Sequence, residues 1–252
     1  FVGKNGAGKS TLSKLICGFQ KPDKGRILFS GSNLSSPIDL ANWSIKEHSD
    51  KIGYVMQNPN QMLCKTGIFE EVALALQTRR EQFGLLGPEG DKIIKEKVEQ
   101  TLRICGLYPF RKWPISALSY GQKKRVTIAS LLVLEPEILI LDEPTAGQDL
   151  AHYTEIMDFL EQLTRKGITI ILITHDMHLL LEYAEKAFVF SQGKLITSGT
   201  GPDILTNSEI TTQANLKETS LYTLAKIAEL QNPHDFVSIF IDFERQTRDK
   251  SI

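Results

Sequence analysis

The sequence predicts an α/β fold, a parallel sheet covered by helices, on three observations. Short apolar stretches alternate with amphipathic helical spacing along most of the chain, the pattern of strands joined by helical crossovers. A glycine-rich run, Gly3-Lys4-Asn5-Gly6-Ala7-Gly8-Lys9-Ser10, opens the first helix. Far downstream, the apolar stretch Ile138-Leu139-Ile140-Leu141 ends in two carboxylates, Asp142 and Glu143, where an open α/β sheet places its ligand chemistry.

The first run fits G-x-x-x-x-G-K-S/T, a spacing set by phosphate chemistry. Backbone N–H groups must converge on the β- and γ-phosphates, and side chains would obstruct them. Glycine removes the obstruction and permits the unusual dihedrals. Lys9 then reaches the phosphate oxygens, Ser10 ligates Mg²⁺, and a helix over 9–17 presents a partial charge of about +0.5 to the anion. Such a loop leaves a buried strand, so Phe1-Val2 are read as the last two residues of one whose earlier part lies outside the sequence.

Beyond this helix, 25–29 and 51–56 read as short strands separated by a loop rich in Ser, Asn and Pro. Turn formers at 57–61 end the second strand. Helical spacing over 67–80 and 91–104, divided by a loop at 84–90, predicts a helical insert. Then come a helix over 121–134, the buried strand 138–141, an amphipathic helix over 150–166 and a buried strand over 168–174. Residues 188–190 and 194–196 form a closing hairpin across Ser191-Gln192-Gly193. From Pro202 onward the chain turns polar, with helical spacing around 220–230 and a charged end, and reads as an accessory tail.

With 252 residues and 41% hydrophobic content the chain buries a sizeable core, large enough for a main domain with appendages. A net charge of −1 gives no general attraction to nucleic acid or anionic lipid. Cys17, Cys64 and Cys105 lack metal-ligand spacing and read as reduced core thiols of a cytosolic protein. No apolar run is long enough to span a bilayer, so a membrane role requires a partner. The Lys123-Lys124-Arg125 run reads as a solvated helix face, and His48, His152, His178 and His234 as surface or packing residues.

Asp142 suits a Mg²⁺ partner, directly or through water, and Glu143 the group that activates or orients an attacking water. Two carboxylates after a strand are weak evidence alone, since carboxylates also cap helices; paired with the loop at Gly3 they are strong. Leu118-Ser119-Tyr120-Gly121-Gln122 opens a helix. Ser119 and the backbone of Gly121 can bind an anion there, or Ser119 can be an ordinary N-cap.

Taken together, these motifs resemble the nucleotide-binding cassette of ABC transporters, in family order over residues 1 to about 200. The phosphate loop is followed by a glutamine loop at Gln57, the signature Leu118 to Gln122, the acidic strand, then Ala146-Gly147-Gln148-Asp149 and a switch histidine in Thr174-His175-Asp176. The resemblance implies a P-loop NTPase core over 1–65 and 117–200, with an antiparallel β segment. It also implies an inserted helical subdomain over 66–116 facing a membrane partner, and a C-terminal extension over 201–252. ATP and Mg²⁺ are the implied ligands. Nucleotide contacts fall to Gly3, Asn5, Gly6, Ala7, Gly8, Lys9, Ser10 and Thr11, and across a dimer to Ser119, Gly121, Gln122 and Asp149. Metal contacts fall to Ser10, Gln57 and Asp142, and catalytic roles to Glu143, His175, Gln57 and Lys9. His175 is implied as γ-phosphate sensor, and Gln57 as the link from Mg²⁺ or water to the transmembrane partner. An aromatic residue that stacks on adenine precedes the loop in this family and is not in this sequence, which implies impaired base recognition. Tyr120 stands where the family usually has the first glycine of L-S-G-G-Q, and Leu150 where it often has proline.

Residues 54–63, with Phe69-Glu70-Glu71-Val72-Ala73 following, are similar to the energy-coupling-factor importers, whose ATPases carry a Q-N-P-x-x-Q-like run here. The chain looks most like the second cassette of a tandem ATPase for hydroxymethylpyrimidine or thiamine uptake. That likeness implies a second cassette, a transmembrane coupling protein and a membrane subunit that captures the vitamin or metal ion, at the cytoplasmic face of the cell membrane. Two rivals share the motifs. A chromosome-maintenance or DNA-repair ATPase would carry a long coiled coil or basic clamp between Gln57 and Leu118, where this chain is short and charge-balanced. A translation-associated cassette protein would pair two cassettes through a charged linker, with no membrane partner. An inactive regulatory cassette is opposed by Lys9, Asp142, Glu143 and His175 together.

Overall fold

The computed structural model describes residues 1–31, 36–146 and 150–249. Helix α1 (Lys9–Ile16) follows the glycine-rich loop and stops at Gly18, whose φ of 74° is the left-handed conformation that ends helices. Strands β1 (Leu28–Phe29) and β2 (Ile38–Asp39) pair antiparallel. Helix α2 (Ile45–Lys51) comes next, closed by a capping box in which Ser44 and Glu47 satisfy each other's backbone N–H. It occupies a segment for which the residue pattern predicts loop. Strand β3 (Ile52–Val55) leads to the glutamine loop.

Helices α3 (Ile68–Gln77) and α4 (Gly87–Ile104) form the next pair. The second begins four residues earlier than the predicted start, because Gly87, at φ 64°, and Pro88 serve as its first turn. This segment enters and leaves side by side, through a bridge between Gly67 and Pro114 and bonds from Ile115 N to Thr66 O and Ile68 N to Trp113 O. There follow α5 (Tyr120–Leu132), β4 (Ile138–Asp142), α6 (Leu150–Arg165) and β5 (Thr169–Ile173). After them come α7 (Met177–Tyr183), the hairpin β6 (Ala187–Ser191) and β7 (Lys194–Gly199), then α8 (Gly201–Leu205), α9 (Ser208–Ala214), α10 (Ser220–Ile227) and α11 (Pro233–Asp249). Gln192 and Gly193, both at positive φ, make the hairpin turn.

Two compact units divide the chain. One comprises Phe1–Leu12 and the chain from Leu172 onward. In it Val2 bridges Thr174 and Val189, both in parallel sense, and exchanges bonds with Phe188 O and Phe190 N, as a strand residue does. Its core packs Val2, Leu180, Val189 and Leu205 with Val237 and Ile241 of α11. Arg245 of α11 also donates to the carbonyls of Leu181, Glu182 and Ala184, satisfying acceptors that the end of α7 leaves open.

The other unit, Ser13–Ile171, holds the parallel pairing of β3 and β4, in register from Ile52 opposite Ile138 to Val55 opposite Leu141. Sheet order is β3-β4-β5. Leu139, Ile140 and Leu141 are all fully buried, as expected for a parallel strand covered on both faces. Among the described residues no helix is long and apolar enough to cross a membrane.

Candidate functional site

In the first unit the phosphate loop is shaped by its glycines and by the hairpin turn. Gly3 has φ 146°, and a Cβ there would lie 2.2 Å from Phe190 O, so a side chain has no room. Gly193 N donates to Ala7 O at 3.1 Å and Ala7 N to Lys4 O at 3.1 Å, holding the loop's curve. A Cβ on Gly6, at φ 81°, would have nothing within 4 Å of it, so this face of the loop is open for a ligand to approach. Lys9 is buried, its Nζ donating to Gly3 O at 2.6 Å and Lys4 O at 3.2 Å. Ser10 and Thr11 are exposed, and no acidic residue stands in the first turn of α1 to repel an anion. Backbone, ammonium and hydroxyls together are the donor set a triphosphate requires. His175 is exposed in the link between β5 and α7, directly after Thr174, whose N–H bonds to Phe1 O.

The second unit carries the acidic strand, the glutamine loop and the signature. Asp142 is the last residue of β4, and its Oδ2 accepts from Tyr54 Oη of β3 at 2.9 Å. Burial first, then the hydrogen bond and charge of Asp142, push the Tyr54 hydroxyl up to about 12, so it remains a donor at neutral pH. Glu143 follows at φ 45°, an unusual left-handed position for a residue with a side chain. Its carbonyl accepts from Ala146 N at 3.2 Å. Gln57 is exposed at the end of β3. Downstream, buried Glu71 accepts from the N–H groups of Cys64 and Lys65 at 2.8 and 2.6 Å, which fixes the far end of that loop.

Ser119 is the N-cap of α5: its Oγ accepts from Gln122 N at 3.3 Å, while its own N–H donates to Gln122 Oε1 at 3.0 Å. Both residues therefore serve as a capping box, the ordinary alternative for Ser119. A Cβ on Gly121 would meet only His152 at 3.6 Å, an ordinary contact, so packing within the chain does not require glycine there. Tyr120 sends its hydroxyl to Gln57 O at 3.0 Å. Gly147, Gln148 and Asp149 lie outside the described residues, and with them the predicted cross-dimer contact of Asp149.

Two expectations need correction. Lys124 is not on a solvated face: it is fully buried, with Nζ bonded to Gln57 O and Glu143 O at 3.2 Å each. Its helix position explains this, because Thr127 and Ile128, three and four residues on, are buried on the same side. Cys17 and Cys105 are core thiols, pushed up to about 12 chiefly by burial, but Cys64 is exposed. Gln57 and Asp142, like Ser10 in the first unit, each carry an oxygen of the hard type that Mg²⁺ prefers. No cluster of three or more His, Cys, Asp or Glu residues that could hold a metal ion is found among the described residues.

The profile of the ABC transporter family matches residues 1–146, more than half of the chain. The chain belongs to the ABC transporter ATP-binding family. A second profile, of an AAA domain, matches residues 111–182. Members of the ABC family are ATPases with this mixed α/β P-loop fold. Relatives from Clostridium perfringens and Enterococcus faecalis, each named "Putative ABC transporter ATP-binding protein", are 59% identical over 247 residues, covering 98% of this chain and 41% of theirs. This chain thus spans about two fifths of the length of the curated relatives it matches. The solved structure of cbiO1 from Clostridium perfringens, described as part of the ABC transporter complex cbiONQ, is 35% identical with a TM-score of 0.71, over 91% of this chain and 86% of that one. MJ1267, an ATP-binding cassette of an ABC transporter, is 26% identical with a TM-score of 0.70, over 84% and 85%.

Proposed function

We propose that this ABC cassette binds and hydrolyses ATP as a motor subunit of a membrane importer of the energy-coupling-factor type. The observation that carries the reading is the acid pair at the end of β4, Asp142 held by Tyr54 and Glu143 fixed in a left-handed turn, in a chain that also holds a complete phosphate loop. In this reading Gly3, Asn5, Gly6, Ala7, Gly8, Lys9, Ser10 and Thr11 cradle the phosphates. Ser10, Gln57 and Asp142 would hold Mg²⁺, which when bound neutralises charge on the β- and γ-phosphate oxygens. Glu143 orients the attacking water and takes up its proton, and His175 senses the γ-phosphate.

Ser119, Gly121 and Gln122 close over ATP held by a second cassette, which Gly121's freedom from internal packing supports. The second cassette lies in the same longer protein or in a separate subunit. The core is residues 1–65 and 117–200, and the helical segment 66–116 passes closure to a transmembrane coupling protein. The substrate is a vitamin such as hydroxymethylpyrimidine or thiamine, or a metal ion, captured by a separate membrane subunit, with the ATPase peripheral on the cytoplasmic face. The likeness to cbiO1 and to ABC transporter ATP-binding proteins favours this reading over a translation or DNA-maintenance ATPase.

Glu143→Gln tests the site. It should keep ATP affinity while stalling in an ATP-bound, closed dimer, because it removes the water-orienting carboxylate and leaves the phosphate contacts intact. Phosphate release at the wild-type rate would refute the assignment. Lys9→Ala should instead weaken ATP binding in a direct titration. Purification of the full-length protein from solubilised membranes, followed by identification of what accompanies it, tests the importer reading: membrane subunits are expected, and ribosomes in their place would overturn it.

A further inference from the structure

Among the described residues Lys124 has the largest of the fully buried side chains. Removing an ammonium from water is costly unless hydrogen bonds repay it. Here the partners are the main-chain oxygens of Gln57 and Glu143, each 3.2 Å from Nζ. Both belong to residues whose side chains are assigned to chemistry. Glu143 is also among the few residues other than glycine at positive φ, a conformation that persists only where its surroundings enforce it. The Gln57 oxygen receives a second donor from the same helix, the hydroxyl of Tyr120 at 3.0 Å.

We infer that Lys124 is a positioning residue for ATP turnover: from helix α5 it ties the main chain at Gln57 to the main chain at Glu143, and so sets where those two side chains point. Tyr120 is the second tie on Gln57. This rests on the catalytic reading of Glu143 and Gln57 given above. A lysine buried only for packing could be replaced by an apolar chain of the same shape with no effect on chemistry. One that holds two catalytic loops could not.

The test compares Lys124→Met, which keeps the shape and loses the donor, with Lys124→Gln, which keeps a shorter donor. Both are made in the full-length protein, purified with its membrane partners. We expect Lys124→Met to lower kcat at least tenfold while KM and the affinity for ATP stay within about threefold, the signature of a group that acts on the chemical step. Lys124→Gln should recover part of that loss. Wild-type kcat in Lys124→Met, a loss carried by KM instead, or Gln performing no better than Met would each overturn the inference. Should Lys124→Met not fold, Lys124→Gln and Tyr120→Phe carry the test: each must lower kcat at unchanged KM, and wild-type kcat in either overturns it. Glu143→Gln measured alongside separates the two readings. Full turnover in that variant removes the proposed site itself, whereas an inactive Glu143→Gln beside a fully active Lys124→Met removes only the positioning role.

Discussion

Tyr54 and Asp142 show how a pair of strands orients a single carboxylate. The two sit on neighbouring strands, and the parallel register places Tyr54 opposite Ile140, two residues before the carboxylate its hydroxyl reaches. A hydrogen bond to a charged acceptor is worth about 1.5–3 kcal/mol, enough to fix which way the carboxylate faces. Tyr54→Phe should therefore raise the Mg²⁺ concentration needed for half-maximal ATP turnover several-fold, with Mg²⁺-free ATP affinity unchanged. An unaltered Mg²⁺ titration would remove this role. The places of Lys9 at the start of α1 and of Asp142 and Glu143 at the end of β4 are legible in the sequence, because the proposed phosphate and metal chemistry fixes such spacing against helix and strand. Lys124 is not, since a run of three cations reads as solvated. Burial is decided by the face of α5 it shares with Thr127 and Ile128, which weighs more than its neighbours in the chain.

At the scale of elements, strands and long helices are readable from period alone, and what escapes is short or polar. Helix α2 hides in a segment that reads as loop, although Ser44 and Glu47 carry the capping-box spacing. Ser44→Ala should cost about 1 kcal/mol in denaturant unfolding; no loss would show that α2 is held by packing alone. At the end of α1, Gly18→Ala meets two obstacles, a left-handed φ of 74° and the buried His48 ring 2.6 Å from the new Cβ. We expect it to destabilise by at least about 1–2 kcal/mol, and a neutral result would mean that the ring shifts freely. Helix α11 reads in the sequence only as a charged end, because its polar and charged residues mask the apolar ones that anchor it. Its first turn holds His234, bonded to Asp235 and to Asp203 of α8 at 3.1 Å each. Those bonds raise the His234 pKa. A raised folded-state value gives stability that is full below the unfolded pKa of roughly 6.5 and is lost as pH rises through the folded one. Since His234 and Asp203 are 42% and 53% exposed, screening keeps the effect under about 1 kcal/mol. The stability difference between wild type and His234→Ala should shrink between pH 5.5 and pH 8; a difference that grows with pH would contradict the assignment.

At the scale of the whole molecule, the proposed role requires two cassettes, because each is held to complete its partner's ATP site. A change in nucleotide affinity can close such a pair only if ATP favours the closed state over the open one. Contacts made by Ser119, Gly121 and Gln122 to a partner's nucleotide supply that difference in the proposed arrangement. For this chain produced on its own, turnover per chain should therefore fall on dilution, and rates that stay high in a verified monomer would defeat the proposal. Mixing defective chains is sharper. Lys9→Ala keeps a signature but loses its phosphate grip, while Ser119→Arg keeps the phosphate loop but blocks the signature. Each alone should be nearly inactive, since in either homodimer every composite site has one damaged half. A mixed dimer contains one site with both halves intact, so turnover should return when the two are combined. If each chain instead carried its own complete site, no mixture could exceed its components, and the absence of recovery at concentrations where dimers are measured would reject the shared-site arrangement.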